Sequence, residues 1–201
     1  MTERAARVDD RQTIIEAAYR CLAEPHSGPI PMSVILRSAG LSSRAFYRHF
    51  LSKDDLFLAL LEHECKEVVD QVDRIAETGA GNPTDQLSDW VGAMFDLVVD
   101  PRQRLQLTVI DSEEVRAAKG YRQMRERFHA ERERSLAEIL RRGKQDGSFP
   151  LAEPETDAVA INAIVSRVLA AQTTDDALIR KQAKVAVLDF ALRAVGAAPQ
   201  K

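Results

Sequence analysis

The sequence predicts an all-α protein of about nine helices, arranged as an N-terminal three-helix head followed by a larger C-terminal helical bundle. Two observations favour this fold class. Long segments carry apolar residues spaced three or four apart, which is the pattern of a helix with one buried face. Several of these segments also begin at Ser, Asp or Asn and end near Gly or Pro, as helices do.

Composition agrees with a globular protein, since 45% of the 201 residues are hydrophobic and 29% are charged. No apolar run approaches the roughly 20 residues that cross a bilayer, and the charged N-terminus has no signal-peptide core. These features predict a cytoplasmic protein. Residues 1–53 hold eight basic and five acidic side chains, whereas the remainder holds twenty basic and twenty-six acidic ones. A basic head on an acidic body favours an anionic partner at one end.

The first helix is predicted from about Arg11 to Glu24, with Asp9 as its N-cap and a short arm before it. Prolines then exclude helix from residues 25–31. The apolar stripe of this helix consists of Ile14, Ala18, Cys21 and Leu22.

The next two helices form a predicted helix-turn-helix. A short apolar-patterned run ends at Ala39, and Gly40 suits the sharp turn because it adopts positive φ without steric cost. Ser42 is a good N-cap for the second helix. Phe46 and Phe50 lie four apart on one face of that helix and are predicted to anchor it in the core.

The opposite face of the second helix is polar and basic. Such a surface on a helix-turn-helix is typical of a reader of the DNA major groove. Its residues are Ser43, Arg44, Tyr47 and Arg48, with His49 on the flank.

A long helix is predicted to follow, from Lys53 to about Glu77. Ser52 is its N-cap, and Leu51 and Leu56 occupy the positions of a hydrophobic staple. The helix dipole disfavours a cation at this end, so a contact with DNA phosphate explains Lys53 better.

The residues from Phe46 to Leu56, together with the Ala-Gly turn before them, resemble the signature of the tetracycline-repressor (TetR) family of bacterial transcriptional regulators. That pattern is a Tyr-x-x-Phe recognition helix followed by Lys and Leu at the start of the next helix. The resemblance implies a DNA-binding domain over residues 1–52 and a ligand-binding and dimerisation domain over residues 53–201. It also implies that the long helix carries the ligand signal to the head.

Side-chain chemistry suggests roles within this head. Arg44 is the best candidate for guanine recognition, because its guanidinium can donate two parallel hydrogen bonds. Ser43 and Ala45 could contact bases or thymine methyl groups. The candidates for phosphate contacts are Ser42, Tyr47, His49 and Lys53, and Arg48 completes the predicted DNA-binding set.

Five further helices are predicted in the body. They start near Pro83, Pro101, Tyr121, Glu155 and Asp175, and a charged region of short elements, residues 111–119, separates the second from the third. The last two, about 155–172 and 175–195, are apolar over a wide arc, which predicts a two-fold dimer face built as a four-helix bundle.

The resemblance implies a dimer that binds a near-palindromic operator, with one recognition helix per half-site about 34–36 Å apart or a multiple of that distance. A small apolar effector in the body would change the separation of the heads and release the DNA. The apolar bulk that would surround the effector is provided by Cys65, Trp90, Met94 and Phe128.

Three alternatives remain open from the sequence. The protein could be an architectural DNA-binding protein without a ligand switch, or a helical module whose head contacts protein. It could also be a regulator that senses oxidants through Cys65. Enzymatic activity is not expected, since phosphate-binding glycine loops, nucleophile elbows and metal motifs are missing, and neither a metal nor a cofactor is predicted.

Overall fold

A computed structural model describes the backbone of residues 2–77, 81–171 and 176–198, and side chains from residue 10 onward. Within these ranges the chain forms ten helices and no strand. None of the described helices is long and apolar enough to cross a membrane. The helices are α1 (Thr2–Ala23), α2 (Met32–Ala39), α3 (Ser43–Phe46), α4 (Lys53–Glu77), α5 (Pro83–Asp96), α6 (Pro101–Ile110), α7 (Glu113–Arg116), α8 (Tyr121–Asp146), α9 (Pro154–Ala170) and α10 (Ala177–Ala194).

The all-α prediction is confirmed, with one more helix than expected. The additional helix is α7, a single turn inside the charged region that was predicted to hold short elements. Its N-cap is Ser112, whose Oγ accepts a hydrogen bond from the Val115 amide at 3.4 Å. One turn carries too few residues to show a helical period, which explains why the pattern did not reveal it.

The start of α1 differs from the prediction. The helix begins at Thr2, so Asp9 lies inside it and does not act as its N-cap. Residues 3–11 contain Ala, Arg and Glu and no Gly or Pro, and these residues favour the helical conformation more than the isolated cap signal opposes it.

Other helix starts follow the local signals in the sequence. The Asn82 side chain accepts a hydrogen bond from the Asp85 amide at 2.9 Å, and Pro83 occupies the first turn of α5. At α4, Ser52 Oγ accepts from the Asp55 amide at 3.1 Å. The predicted staple is wrong, however, because Leu51 is 88% exposed.

The chain divides into two compact units. Unit 1 comprises residues 1–65 and 102–125, and unit 2 comprises residues 66–101 and 126–201. Helices α4 and α8 each contribute residues to both. The proposed boundary between residues 52 and 53 concerns function and stays a prediction.

Each unit has an apolar core of its own. The unit 1 core is built largely from α1 to α4, and its most buried side chains include Ile14, Ile15, Ile35, Phe46, Leu56 and Leu60. In unit 2, the core centres on α5, and its buried side chains include Leu87, Trp90, Met94, Leu136, Ile139, Phe149, Ile161 and Val165.

A close contact joins the end of α8 to the connection that follows it. The Phe149 ring lies so near Gly143 that a β-carbon there would stand 2.0 Å from the Phe149 Cδ2 atom. The Phe149 amide also donates to the Gly143 carbonyl at 2.8 Å. Glycine at position 143 therefore allows Phe149 to fold back into the core of unit 2.

Candidate nucleic-acid interface

The turn between α2 and α3 has the geometry that the sequence predicts. Gly40 adopts a left-handed conformation with φ of 67°. The Leu41 amide donates to the Leu36 carbonyl at 3.0 Å, which satisfies a carbonyl at the end of α2. The prediction of positive φ at Gly40 is confirmed.

Helix α3 is held at its start by a side-chain cap and underneath by aromatic rings. Ser42 Oγ accepts a hydrogen bond from the Ala45 amide at 3.2 Å, so the predicted N-cap is confirmed. Phe46 and Phe50 are 1% and 2% exposed, and their ring centroids lie 5.4 Å apart. These anchors fix which face of α3 points outward.

The helix is shorter than the predicted recognition helix. Regular α-helix ends at Phe46, and residues 47–49 continue as hydrogen-bonded turns. The Arg48 amide donates to the Ala45 carbonyl, and the His49 amide donates to the Phe46 carbonyl at 2.9 Å. These i to i−3 hydrogen bonds satisfy the carbonyl groups at the end of α3, a helix of only four residues.

Four residues of the predicted DNA-binding set lie together on the outward face of this segment. Ser42, Ser43, Arg44 and Tyr47 are all exposed, Tyr47 to 66%. The Tyr47 ring meets Phe46 edge-on at 5.2 Å, which orients the phenol on the surface. Hydroxyl groups and a guanidinium therefore share one exposed patch on a capped and anchored helix.

Two predicted contacts are placed differently. Ala45 is only 4% exposed, so its methyl group packs in the core of unit 1 and does not belong to the outward face. Ala45 therefore lies on the buried side of α3 with Phe46, and not on the exposed side with Arg44. His49 is half-buried, and its Nε2 atom is covered, with no hydrogen-bond partner among the described residues.

Basic residues beside α3 have acidic or aromatic partners within unit 1. Arg48 forms an ion pair with Asp10 of α1 at 2.9 Å. The guanidinium of Arg11 lies 5.5 Å from the centroid of the Phe50 ring. Such contacts tie α1 to the segment that follows α3.

Lys53 has a protein partner that the sequence did not reveal. Its ammonium forms an ion pair with Glu114 of α7 and donates a hydrogen bond to the Ile30 carbonyl. The same nitrogen lies 5.2 Å from the centroid of the Phe57 ring. The partner of this cation at the start of α4 is thus a carboxylate sixty-one residues further along the chain.

A buried phenol links α1 to α4. Tyr19 donates from its hydroxyl to Glu64 at 2.8 Å and lies 3.0 Å from the Leu60 carbonyl. Burial, together with the nearby Glu64 carboxylate, raises the pKa of the Tyr19 hydroxyl far above its usual range. The phenol therefore stays protonated and keeps the two helices joined.

The residues predicted to surround an effector are all buried. Cys65 is 9% exposed, and Trp90, Met94 and Phe128 are 3% exposed or less. The Trp90 indole donates to Ser135 Oγ at 3.2 Å, and Ser135 donates to the Val72 carbonyl at 3.1 Å. Trp90 is therefore fixed within unit 2.

An open cleft of about 720 Å³ lies in unit 2, between the end of α4 and α8. Ser135 lines this cleft, so the indole of Trp90 lies one side chain behind its wall. Its other lining residues are Asp73, Ala76, Glu77, Ala130, Glu133, Arg134, Ala137, Glu138, Arg141, Arg142 and Glu155. Among the described residues, no cluster of three or more His, Cys, Asp or Glu side chains is arranged to hold a metal ion.

Comparison with known proteins places this geometry in a family. The sequence model for "Bacterial regulatory proteins, tetR family" matches residues 14–60, which extend from α1 through the start of α4. Residues 14–60 therefore carry the tetR-family sequence pattern. The match covers the turn at Gly40, the cap at Ser42 and the whole exposed face of α3, so the resemblance read from the sequence is confirmed.

A curated relative shares a short stretch of sequence with this chain. An uncharacterized HTH-type transcriptional regulator, YwcC of Bacillus subtilis (strain 168), is 43% identical over 51 residues. That alignment includes 25% of this chain and 23% of the relative. The similarity to this relative thus spans about a quarter of each protein.

Solved structures extend the similarity of fold to nearly the whole chain. The SmeT–triclosan complex has a TM-score of 0.78 at 21% identity, covering 96% of this chain and 98% of that one. FadR from Bacillus subtilis in complex with stearoyl-CoA has a TM-score of 0.72 at 18% identity, covering 91% and 98%. AibR, in complex with isovaleryl coenzyme A and operator DNA, has a TM-score of 0.68 at 17% identity, covering 90% and 97%.

Proposed function

We propose that this tetR-family protein is a ligand-responsive transcriptional repressor, which binds a near-palindromic operator as a homodimer and releases it when a small apolar effector binds. One observation carries the DNA-binding part of the proposal. Ser43 and Arg44 of α3 and Tyr47 directly after it are exposed together, on a segment that Ser42 caps and that buried Phe46 anchors. A rigid, outward-facing basic patch of this kind suits the edges of bases in the major groove.

The first experiment is a binding titration of the purified protein with its own upstream DNA and with a scrambled duplex of equal length, at two salt concentrations. The proposal would be supported if the protein bound the upstream DNA preferentially, if this preference persisted at the higher salt, and if one homodimer bound each operator. Equal and salt-sensitive binding to both duplexes would leave only the non-specific electrostatic attraction, as expected for an architectural protein.

The homodimer is proposed to form through α9 and α10. These helices expose large apolar side chains: Val159, Leu178, Ile179, Val185 and Phe190. Exposed apolar surface of this extent is typical of a protein interface.

Val185→Asp tests the dimer with a well-matched control. Val185 is 58% exposed on α10, and Val99, in the connection between α5 and α6, is 55% exposed. We expect Val185→Asp to produce monomers by light scattering after size-exclusion chromatography, since the carboxylate would be buried at the interface. Val99→Asp should leave the dimer intact, and equal behaviour of the two variants would contradict the assignment.

The effector is proposed to bind in the body near Trp90. Triclosan and stearoyl-CoA are bound in two proteins of similar fold, and a volume of about 720 Å³ lies in the range of small-molecule sites. Trp90 is the single tryptophan of the chain, so its fluorescence reports on this region directly. A saturable change with triclosan or stearoyl-CoA, accompanied by loss of operator binding, would support the proposal.

An alternative trigger for release of DNA is oxidation of Cys65, which the surroundings of this thiol support less well than an apolar effector. Cys65 is a buried thiol, and reactive cysteines are generally accessible and flanked by cations. An oxidant response that disappears in Cys65→Ser would favour this version over an apolar effector.

A further inference from the structure

Glu114 occupies the centre of a polar cluster inside unit 1. Its carboxylate accepts hydrogen bonds from the Ile30 amide at 3.0 and 3.1 Å and forms an ion pair with Lys53. His26 Nε2 lies 3.6 Å from the same carboxylate. Three separate parts of the chain therefore meet at one side chain: the loop before α2, the start of α4, and α7.

The Lys53 ammonium is held from several sides. It contacts the Glu114 carboxylate, the Ile30 carbonyl and the face of the Phe57 ring. Its side chain is 29% exposed and that of Glu114 is 12% exposed. A pair that is partly shielded from water interacts more strongly than a fully exposed one.

The position of Lys53 gives this pair a consequence for DNA binding. Lys53 is the first residue of α4 and lies within the matched tetR-family segment, six residues after the exposed Tyr47. A DNA phosphate that approached this end of α4 would meet an ammonium already neutralised by a carboxylate. The ion pair with Glu114 therefore reduces the electrostatic attraction between Lys53 and a DNA phosphate.

We propose that Glu114 competes with DNA phosphates for Lys53. The ion pair thereby lowers the part of the DNA affinity that comes from contacts with the sugar-phosphate backbone of DNA. This inference rests on the proposed function, because it assumes that the head binds DNA. The restraint acts on the electrostatic part of binding, which is independent of base sequence. Reading of bases by Arg44 is left intact, so the ion pair favours operator over random DNA.

The pair also connects α7 to the DNA-binding segment. Glu114 lies in α7, whereas its partners lie in the loop before α2 and at the start of α4. A change in the position of α7 would therefore alter the hydrogen bonds that hold this loop, and would also change how readily Lys53 can contact DNA.

Glu114→Gln is the direct test, with Glu113→Gln as its control. Both variants remove one negative charge from α7, but Glu113 is exposed and takes no part in the cluster around Lys53. The glutamine carbonyl at position 114 still accepts from the Ile30 amide, so the loop keeps its hydrogen bond. Circular dichroism and thermal unfolding verify that both variants are folded.

We expect Glu114→Gln to bind a random-sequence duplex about threefold to fivefold more tightly than the wild type. The slope of log K against log salt should steepen by about 0.9, the value for one additional phosphate contact. In a Lys53→Met background, the same substitution should have no effect. If Glu114→Gln equals Glu113→Gln, weakens binding, or acts equally without Lys53, the competition is refuted.

A measurement without DNA separates this inference from the proposed function. Acylation by an acetyl N-hydroxysuccinimide ester, followed by mass spectrometry, compares Lys53 with the exposed Lys66 of the same helix. Lys53 should be protected in the wild type and in Glu113→Gln, and several times more reactive in Glu114→Gln. Equal reactivity in all three proteins would refute the ion pair. Failure of the wild type to bind any duplex would refute the DNA-binding function, and with it the competition, but would leave the ion pair between Lys53 and Glu114 intact.

Discussion

Helices α3 and α5 begin in the same way and serve opposite purposes. Each starts at a polar N-cap, Ser42 for α3 and Asn82 for α5, and each places an aromatic side chain in a core. Half of the four residues of α3 face solvent, whereas nine of the fourteen residues of α5 are buried. The mostly buried α5 stabilises its unit. Helix α3 exposes half of its residues and is fixed in place by the buried Phe46, so it can present side chains to a partner.

Removal of the aromatic anchors should have the largest effect on both helices. Phe46→Ala and Trp90→Ala should each reduce the free energy of unfolding by about 3–5 kcal/mol, since both side chains are at most 1% exposed and would leave cavities. Urea denaturation followed by circular dichroism measures this. Tyr47→Ala is the control, because an exposed ring should change stability by less than about 0.5 kcal/mol. Comparable losses for Tyr47 and Phe46 would contradict the division between the faces of α3.

Arg44 tests whether the exposed face of α3 reads sequence. Arg44→Ala should reduce discrimination between operator and random DNA by about 1–3 kcal/mol at the base it contacts. Arg44→Lys keeps the charge but loses the two-pronged donor, so it should lose most of the discrimination while it retains non-specific affinity. Competition titrations with single-base operator variants measure both quantities. Full discrimination by Arg44→Lys would mean that this residue contacts phosphate only.

The caps should give the smallest effects, and nearly equal ones. Ser42→Ala and Asn82→Ala should each lower the free energy of unfolding by about 1 kcal/mol, because one helix amide loses its acceptor. Chemical denaturation at several temperatures resolves a difference of this size. Only Ser42→Ala should also weaken operator binding, since the helix that it caps is the one that carries the exposed patch. A loss of DNA affinity in Asn82→Ala would show that the two helices are not separate in function.

Several features of α3 and α5 are determined by nearby residues and could be predicted from the sequence. The positive φ of Gly40 and the caps at Ser42 and Asn82 depend on residues within a few positions, so local pattern was enough. The same holds for Phe46 and Phe50, whose spacing alone places them on one face. The turn between α2 and α3 and the caps and anchors beside it therefore follow from the local sequence.

Contacts between distant residues did not follow. The pairing of Lys53 with Glu114 and the hydrogen bond from Trp90 to Ser135 join positions sixty-one and forty-five residues apart. Neither partner stands out in sequence, because a glutamate in a charged region and a serine in a polar helix are ordinary. The burial of Ala45 has the same origin, since it depends on what packs against α3.

The contact between Gly143 and Phe149 has a consequence for how this chain can change over generations. Since any side chain at position 143 would overlap the Phe149 ring, substitutions at these two positions are not independent. A larger residue at 143 becomes acceptable only after residue 149 has become smaller, and that first step leaves a void in the core of unit 2. A change from Gly143 and Phe149 to a larger residue at 143 and a smaller one at 149 therefore passes through a less stable intermediate protein. This favours persistence of the glycine and the phenylalanine together.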